Sequence, residues 1–139
     1  MFKSIRAWFA SFNKLPAALM AELQSEGIIL MNEAIRGTIT YRDFRAPGKR
    51  FLYKKSAFIS TIAITKTRLL ATSYSNVAIN VPYSDGRFRS MQFSIEDGPK
   101  LGVAFDASLF QPKWSGSIEY RFKTPNAEKF LDEIQKQIA

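Results

Sequence analysis

The residues of this chain with the clearest chemical potential are cationic, and they crowd into one quarter of it. Between Arg36 and Arg68 the sequence holds nine Lys and Arg residues against one acid, Asp43. This segment therefore carries the whole formal net charge of +8, since the segments on either side are each neutral. A segregated positive segment attracts anionic surfaces, and salt weakens that attraction. The charge pattern predicts a surface that binds anions.

Six of these cations surround one turn, Ala46-Pro47-Gly48, which predicts a hairpin. They are Arg42, Arg45, Lys49, Arg50, Lys54 and Lys55. Near an anionic membrane each such residue contributes on the order of 1 kcal/mol of binding. The same charges are equally typical of a hairpin that is simply solvated and protected against edge-to-edge aggregation.

Aromatic side chains alternate with these cations, and they allow more than one interpretation. Phe51 and Tyr53 are candidates for insertion into a membrane or for packing. Aromatic rings between positive charges can also stack on single-stranded nucleic acid. Because Tyr41 follows the inward phase of Ile35 and Ile39, the strand period favours a core position over a nucleic-acid surface.

The N-terminal segment carries a second apolar pattern. Its stripe consists of Phe2, Ile5, Trp8, Phe9 and Phe12. With Lys3 and Arg6 off the stripe, the segment is similar to an interfacial membrane anchor. An amphipathic helix that packs on the rest of the protein, or on a second subunit, has the same pattern.

The absence of cysteine and histidine excludes several classes of chemistry. It leaves no disulfide, no thiolate nucleophile, no imidazole base and no Cys/His zinc site. Asp85 and Asp97 fall in turns, where carboxylates bond to the local backbone. Glu96 and Asp97 are neighbours that point apart along a strand. We therefore expect a non-enzymatic protein without metal or cofactor.

No apolar run approaches the roughly 18 to 20 residues of a membrane-spanning helix. Ser4, Arg6 and Ser11 interrupt any apolar region of a signal peptide. We expect a cytoplasmic protein that starts near Met1 and associates with membranes peripherally.

The elements that must position these residues follow from periodicity. Residues 1–27 have a helical pattern, with Pro16 at the start of a second helix and Gly27 at its exit. After Gly27 the apolar period is two, and seven strands are predicted in residues 28–139. Gly37 predicts a bend or bulge within the first long strand.

The C-terminus returns to a helix over residues 125–139. Thr124 is the expected cap, and Phe130 and Leu131 lie on the apolar stripe. The predicted fold is therefore mainly β: a seven-stranded antiparallel bent barrel or sandwich, capped by the C-terminal amphipathic helix. The N-terminal helices form an extension to it.

This order of elements resembles the pleckstrin-homology superfold, and more closely its GRAM and bacterial PH-like branches. The run Thr65 to Leu69 matches their apolar–Thr–x–x–Arg–Leu hairpin, and Ile79 to Asp85 is similar to their I-P-x-x-D strand. The resemblance implies a binding module. It does not imply a specific phosphoinositide site, because Lys54-Lys55-Ser56 departs from that basic motif. Phe130 also stands where signalling PH domains carry Trp.

Two functions therefore remain open, with a third behind them. The first is an adaptor whose basic hairpin contacts phospholipid headgroups or an acidic protein. The second is an assembly protein that forms a homo-oligomer through sheet edges and helix stripes. A nucleic-acid module is the third, and the aromatic period disfavours it.

Overall fold

The computed structural model describes residues 15–138 of the chain. The predicted apolar stripe of Phe2, Ile5, Trp8, Phe9 and Phe12 lies outside the described residues, as does Ala139.

Within residues 15–138, two helices and seven strands follow one another in the order predicted from the sequence. They are α1 (Ala17–Glu26), β1 (Ile28–Ala46), β2 (Lys49–Thr65), β3 (Arg68–Ser73), β4 (Asn76–Pro82), β5 (Gln92–Glu96), β6 (Lys100–Asp106), β7 (Ser115–Lys123) and α2 (Ala127–Ile138). Short 3₁₀ helices at Gly86–Ser90 and Ala107–Leu109 precede β5 and follow β6. The prediction of seven antiparallel strands and a C-terminal helix is confirmed.

The seven strands form one antiparallel sheet in the order β4-β3-β2-β1-β7-β6-β5. The long strand β1 lies in the middle and pairs with β2 on one side and β7 on the other. Among residues 15–138, β4 and β5 are the two edges and do not pair with each other. The barrel form of the prediction is therefore corrected to an open, bent sheet.

The main core lies on one face of this sheet, under α2. Phe122, Phe130 and Ile134 have no exposed surface, and Phe58 is 5% exposed. Leu131 is half-buried against the same cluster. The predicted role of the C-terminal helix, burying its apolar stripe against the sheet, is confirmed for Phe130.

Helix α1 covers the opposite face of β2 and β3. Its Leu23 is fully buried against Ala63 and Leu70, which explains why these strands are apolar on both faces. Gly27 ends the helix with φ of +91°, the left-handed exit that the sequence predicts.

Gly37 does not produce the bulge expected of it. Its pairing is regular, with Phe58 on β2 and Phe122 on β7. The register of β1 shifts instead between Asn32 and Ile35, and between Arg42 and Arg45. Glycine is needed at position 37 for space, because a Cβ there would lie 2.8 Å from the Phe58 ring.

Candidate functional site

The turn between β1 and β2 brings the predicted cations together at one end of the molecule. We call residues 42–55 the hairpin tip. Its turn contains Gly48 with φ of +77°. Arg45 pairs directly with Arg50 across the hairpin, and Ala46 pairs with Lys49. Like charges placed opposite each other repel, so this register concentrates positive potential at the tip.

Arg42 differs from the other five candidate cations because it is already paired. Its Nε lies 2.5 Å from Glu119 Oε2 on β7. Its guanidinium also lies 5.3 Å from the centre of the Tyr53 ring. The hydrogen bond from Arg42 lowers the pKa of Glu119, with Arg121 assisting, so this carboxylate stays charged.

The other five cations of the hairpin tip are exposed to solvent. They are Arg45, Lys49, Arg50, Lys54 and Lys55. Within residues 15–138 none of them lies in ion-pair distance of a carboxylate. Their charge is therefore available to an external anion.

A cluster of aromatic rings packs the hairpin tip against the sheet. Phe44 is 3% exposed, and its ring centre lies 4.8 Å from that of Tyr41 and 5.3 Å from that of Trp114. Phe51 stacks on Phe44 at 5.9 Å, so it packs inside the hairpin. The ammonium of Lys54 lies 4.5 Å above the Phe51 ring. Packing of this kind fixes the tip against the sheet.

Two apolar side chains project from the hairpin tip among its cations. Tyr53 is 57% exposed and Leu52 is 72% exposed. Tyr53 is one of the candidates predicted from the sequence, and Leu52 is not. The sequence leaves Phe51 open between insertion and packing, so strand alternation alone does not identify Leu52 as exposed.

At the other end of the hairpin, the charge of Arg68 is neutralised internally. We call Glu22, Glu26, Thr65, Thr67 and Arg68 the hairpin base. Arg68 Nη2 lies 2.7 Å from Glu26 and 3.3 Å from Glu22. The hydroxyls of Thr65 and Thr67 also donate to Glu26, at 3.0 and 2.6 Å.

The hydrogen bonds of the hairpin base determine the ionisation of Glu26. Burial alone would raise the pKa of this carboxyl. Hydrogen bonds from Thr67, Arg68 and Thr65, together with the charge of Arg68, outweigh that effect, and the pKa lies below its ordinary value. The base therefore holds a stable internal ion pair and offers little charge to a ligand.

A second cationic surface lies on the outer face of the sheet. It is a groove of about 420 Å³ whose basic lining residues are Arg36, Lys100, Arg121 and Lys123. Arg121 is bound to Glu96 at 2.8 Å and Glu119 at 3.3 Å. Lys100 and Lys123 are cross-strand partners. Local spacing in the sequence does not predict this groove, because the pairing of β7 with both β6 and β1 brings these residues together.

In the part of the chain that the structure describes, no three acidic residues come together in a group that could hold a metal ion. Asp85 accepts hydrogen bonds from the backbone and guanidinium of Arg87, at 2.9 and 2.6 Å. This local role is the one predicted for a turn aspartate. Among residues 15–138, neither helix has the length and apolar composition needed to cross a membrane.

No protein-family model matches the chain, and no curated protein matches it. The surfaces and cavities of the molecule are therefore the basis for assigning a function.

Proposed function

We propose that this chain is a non-catalytic, pleckstrin-homology-like binding module whose hairpin tip contacts an anionic membrane surface. The observation that carries the proposal is the composition of the tip. Five cations without carboxylate partners in residues 15–138 stand beside the exposed Leu52 and Tyr53. Cations attract a membrane of anionic lipid, and apolar side chains between them enter its interface.

The assignment to a PH-like module draws support from the topology as well as from the sequence motifs. Strand β1 is shared between β2 and β7, and β7 is followed by a helix that packs on the core. The resemblance implies a module that binds through its first hairpin, which here is the most positive part of the chain.

The choice of a membrane over an acidic protein rests on Leu52. A side chain that is 72% exposed gains free energy by leaving water, on the order of 1.5 to 3 kcal/mol for complete burial. The fluid interface of a lipid bilayer accepts such a side chain in any orientation. An acidic protein would need a matching pocket.

Vesicle flotation with a charge-neutralised tip tests the proposal. Vesicles of phosphatidylcholine alone are compared with vesicles that also contain phosphatidylserine, at low and moderate salt. The tip variant combines Arg45→Gln, Lys49→Gln, Arg50→Gln and Lys55→Gln. It retains Arg42 because this residue pairs with Glu119, and it retains Lys54 because this residue packs on Phe51.

A groove variant with the same loss of charge serves as the matched control. It combines Arg36→Gln, Lys100→Gln and Lys123→Gln in the groove with Arg89→Gln, an exposed residue of the 3₁₀ helix Gly86–Ser90 that lies outside the groove and completes the match in charge. We expect the wild type to float with the anionic vesicles alone, and less so in salt. The tip variant should lose up to about a thousandfold in affinity, at roughly 1 kcal/mol per charge. The groove variant should retain most of it.

Three results would overturn the proposal. The wild type does not float with anionic vesicles, the groove variant loses as much affinity as the tip variant, or the protein binds polyglutamate and no vesicle. The last result would assign the tip to an acidic protein.

Leu52→Ser separates membrane insertion from electrostatic attraction. It should weaken vesicle binding about tenfold without changing the salt dependence of binding. Val77→Ser, at an exposed side chain on β4, should leave vesicle binding unchanged.

Assembly into a homo-oligomer is the second candidate, and the open sheet favours it. The edge strands β4 and β5 carry Val77, 48% exposed, and Ile95, 38% exposed. Unpaired edges of this kind are templates for pairing with a second chain. Light scattering after size exclusion should then give more than one copy, and Val77→Lys with Ile95→Lys should give a single copy. A wild type that is already a single copy would contradict this candidate.

A further inference from the structure

An apolar cavity of about 410 Å³ lies between β4 and the connection from β6 to β7. Its walls include Val77, Ile79, Phe105, Phe110, Trp114 and Ile118. The volume falls within the range of about 300 to 1,000 Å³ typical of small-molecule sites. The mostly apolar lining is also typical of such sites. The cavity is separate from the cationic groove and belongs to the opposite face of the sheet.

Two tyrosines supply polar groups to this cavity. Burial raises the pKa of Tyr41, and burial together with the neighbouring Tyr41 raises the pKa of Tyr120 to about 12. Both phenols are therefore neutral and able to donate. Neither hydroxyl has a hydrogen-bond partner within residues 15–138, whereas Tyr83 donates to the carbonyls of Thr65 and Arg68 at 2.8 and 2.9 Å. Among residues 15–138 the fully buried side-chain oxygens without a partner are those of Thr38 and Thr61, so the hydroxyls of Tyr41 and Tyr120 stay accessible from the cavity that they line and can donate to a ligand there.

The charges around the cavity determine the sign of that ligand. Among the described residues, no carboxylate lines the cavity. Lys54 is the cross-strand partner of Tyr41, and its ammonium rests on Phe51, whose ring centre lies 5.7 Å from that of Tyr41. Arg87 lies 4.8 Å above Phe110, but Asp85 already neutralises it. The uncompensated charge beside the cavity is thus positive.

We propose that the cavity binds one long-chain carboxylate, a fatty acid. The hydrocarbon chain lies along the apolar wall of β4, and the hydroxyls of Tyr41 and Tyr120 donate to the carboxylate. Lys54 balances its charge. This site does not depend on the membrane surface proposed above, because it uses neither Arg45, Lys49, Arg50 nor Lys55.

Titration with decanoate, followed by tryptophan fluorescence and calorimetry, tests this site. The chain has two tryptophans, and Trp8→Phe leaves Trp114 as the single reporter in the cavity wall. We expect a saturable change with one decanoate per chain. Butyrate, which has the same head and a short tail, should bind weakly. Decyltrimethylammonium, which has the same tail and the opposite charge, should also bind weakly.

Paired variants keep the test independent of folding. Ala78→Phe fills the cavity and should abolish the saturable change, whereas Ala57→Phe, in the groove on the other face, should not. Tyr120→Phe keeps the ring and should weaken binding about fivefold, the usual effect of one hydrogen bond. Urea unfolding of each variant verifies that it is folded.

Two outcomes would overturn the inference. One is equal affinity for decanoate and decyltrimethylammonium. The other is decanoate binding that neither Ala78→Phe nor Tyr120→Phe weakens. The tip variant retains Lys54 and Tyr41 and should bind decanoate like the wild type. Loss of vesicle binding and loss of decanoate binding are therefore distinguishable.

Discussion

The two ends of the first hairpin use the same residue types in opposite ways. At the hairpin base, Arg68 is 13% exposed and its charge is matched by Glu26 and Glu22. At the hairpin tip, Arg45 and Arg50 face each other with no carboxylate in ion-pair distance among residues 15–138. The base thus uses charge to attach α1 to the sheet. The tip leaves charge for a partner and is held by aromatic rings.

This difference explains how a strongly basic hairpin can keep its strand pairing up to the turn. Mutual repulsion among exposed cations costs little in water, where salt screens it. The apolar cluster around Phe44 supplies the stability of the tip independently of charge. Charge at the tip can therefore be removed with little effect on folding, and at the base it cannot.

The largest predicted effect tests whether rings hold the tip. Phe44→Ala removes a side chain that is 3% exposed and contacts Tyr41, Phe51 and Trp114. We expect a loss of about 3 to 5 kcal/mol in the free energy of unfolding, measured in urea. Leu52→Ala, at a side chain that is 72% exposed, should stay within about 0.5 kcal/mol. Similar losses for the two variants would contradict the role of the ring cluster.

The next effect concerns the charge of the base. Arg68→Ala leaves Glu26 without its guanidinium partner and Asn80 without the hydrogen bond that Arg68 donates at 3.1 Å. We expect a loss of about 2 to 3 kcal/mol, somewhat below that of a fully buried pair. Arg50→Ala should change stability by less than about 0.5 kcal/mol, because it removes a repelling charge at the tip.

Arg68→Lys refines the same comparison. The variant keeps the positive charge but lacks the planar guanidinium, which reaches Glu26 through two nitrogens. Its loss in the free energy of unfolding should therefore fall between zero and the loss caused by Arg68→Ala. An Arg50→Ala loss as large as that of Arg68→Ala would remove the distinction between tip and base.

Sequence periodicity predicts a strand correctly where one face of the strand is buried and the other face is exposed to solvent. In β7 the alternation of Ile118, Tyr120 and Phe122 is the alternation of burial in the structure. The alternation is weak where its physical cause is absent. In the first part of β1, Ile28–Ala34, register shifts interrupt the period of two. In the first part of β2, Lys49–Ala57, most side chains on both faces are exposed.

The candidate site was predicted in composition but not in its pairings. The charge count located the hairpin tip, because its cations are close in sequence. The partner of Arg42 is Glu119, which is 77 residues away and reaches it only because β1 pairs with β7. The apolar cavity is likewise assembled from β1, β4, β6 and β7. Non-local pairing of this kind leaves no signal in local spacing.

The pH dependence of stability provides a smaller effect. The pKa of Glu26 lies below its ordinary value of 4.5 in the folded protein, because hydrogen bonds and Arg68 outweigh burial. A carboxyl with a depressed folded pKa stabilises the fold fully above its unfolded pKa, and this contribution is lost as the pH falls through the folded value. Wild type should therefore be more stable than Glu26→Gln at neutral pH, and the difference should shrink below pH 4.5.

Urea midpoints taken from neutral pH to about pH 3 would measure this convergence. In an Arg68→Ala background, the stability difference between Glu26 and Glu26→Gln should depend less on pH, since both the hydrogen bond and the charge of Arg68 are gone. A difference that grows on acidification would mean that burial, not hydrogen bonding, controls Glu26.

The smallest effect concerns Arg42, the one candidate cation of the tip that resembles the base. Its side chain is 51% exposed, and Glu119 keeps Arg121 at 3.3 Å when Arg42 is removed. Arg42→Ala should therefore cost about 0.5 kcal/mol of stability or less, and less still in high salt. Because Glu119 already neutralises its charge, Arg42→Ala should weaken vesicle binding less than Lys49→Ala, which removes an unpaired charge at the turn. Equal losses of vesicle affinity would show that ion pairing within the hairpin does not decide which cations meet the membrane.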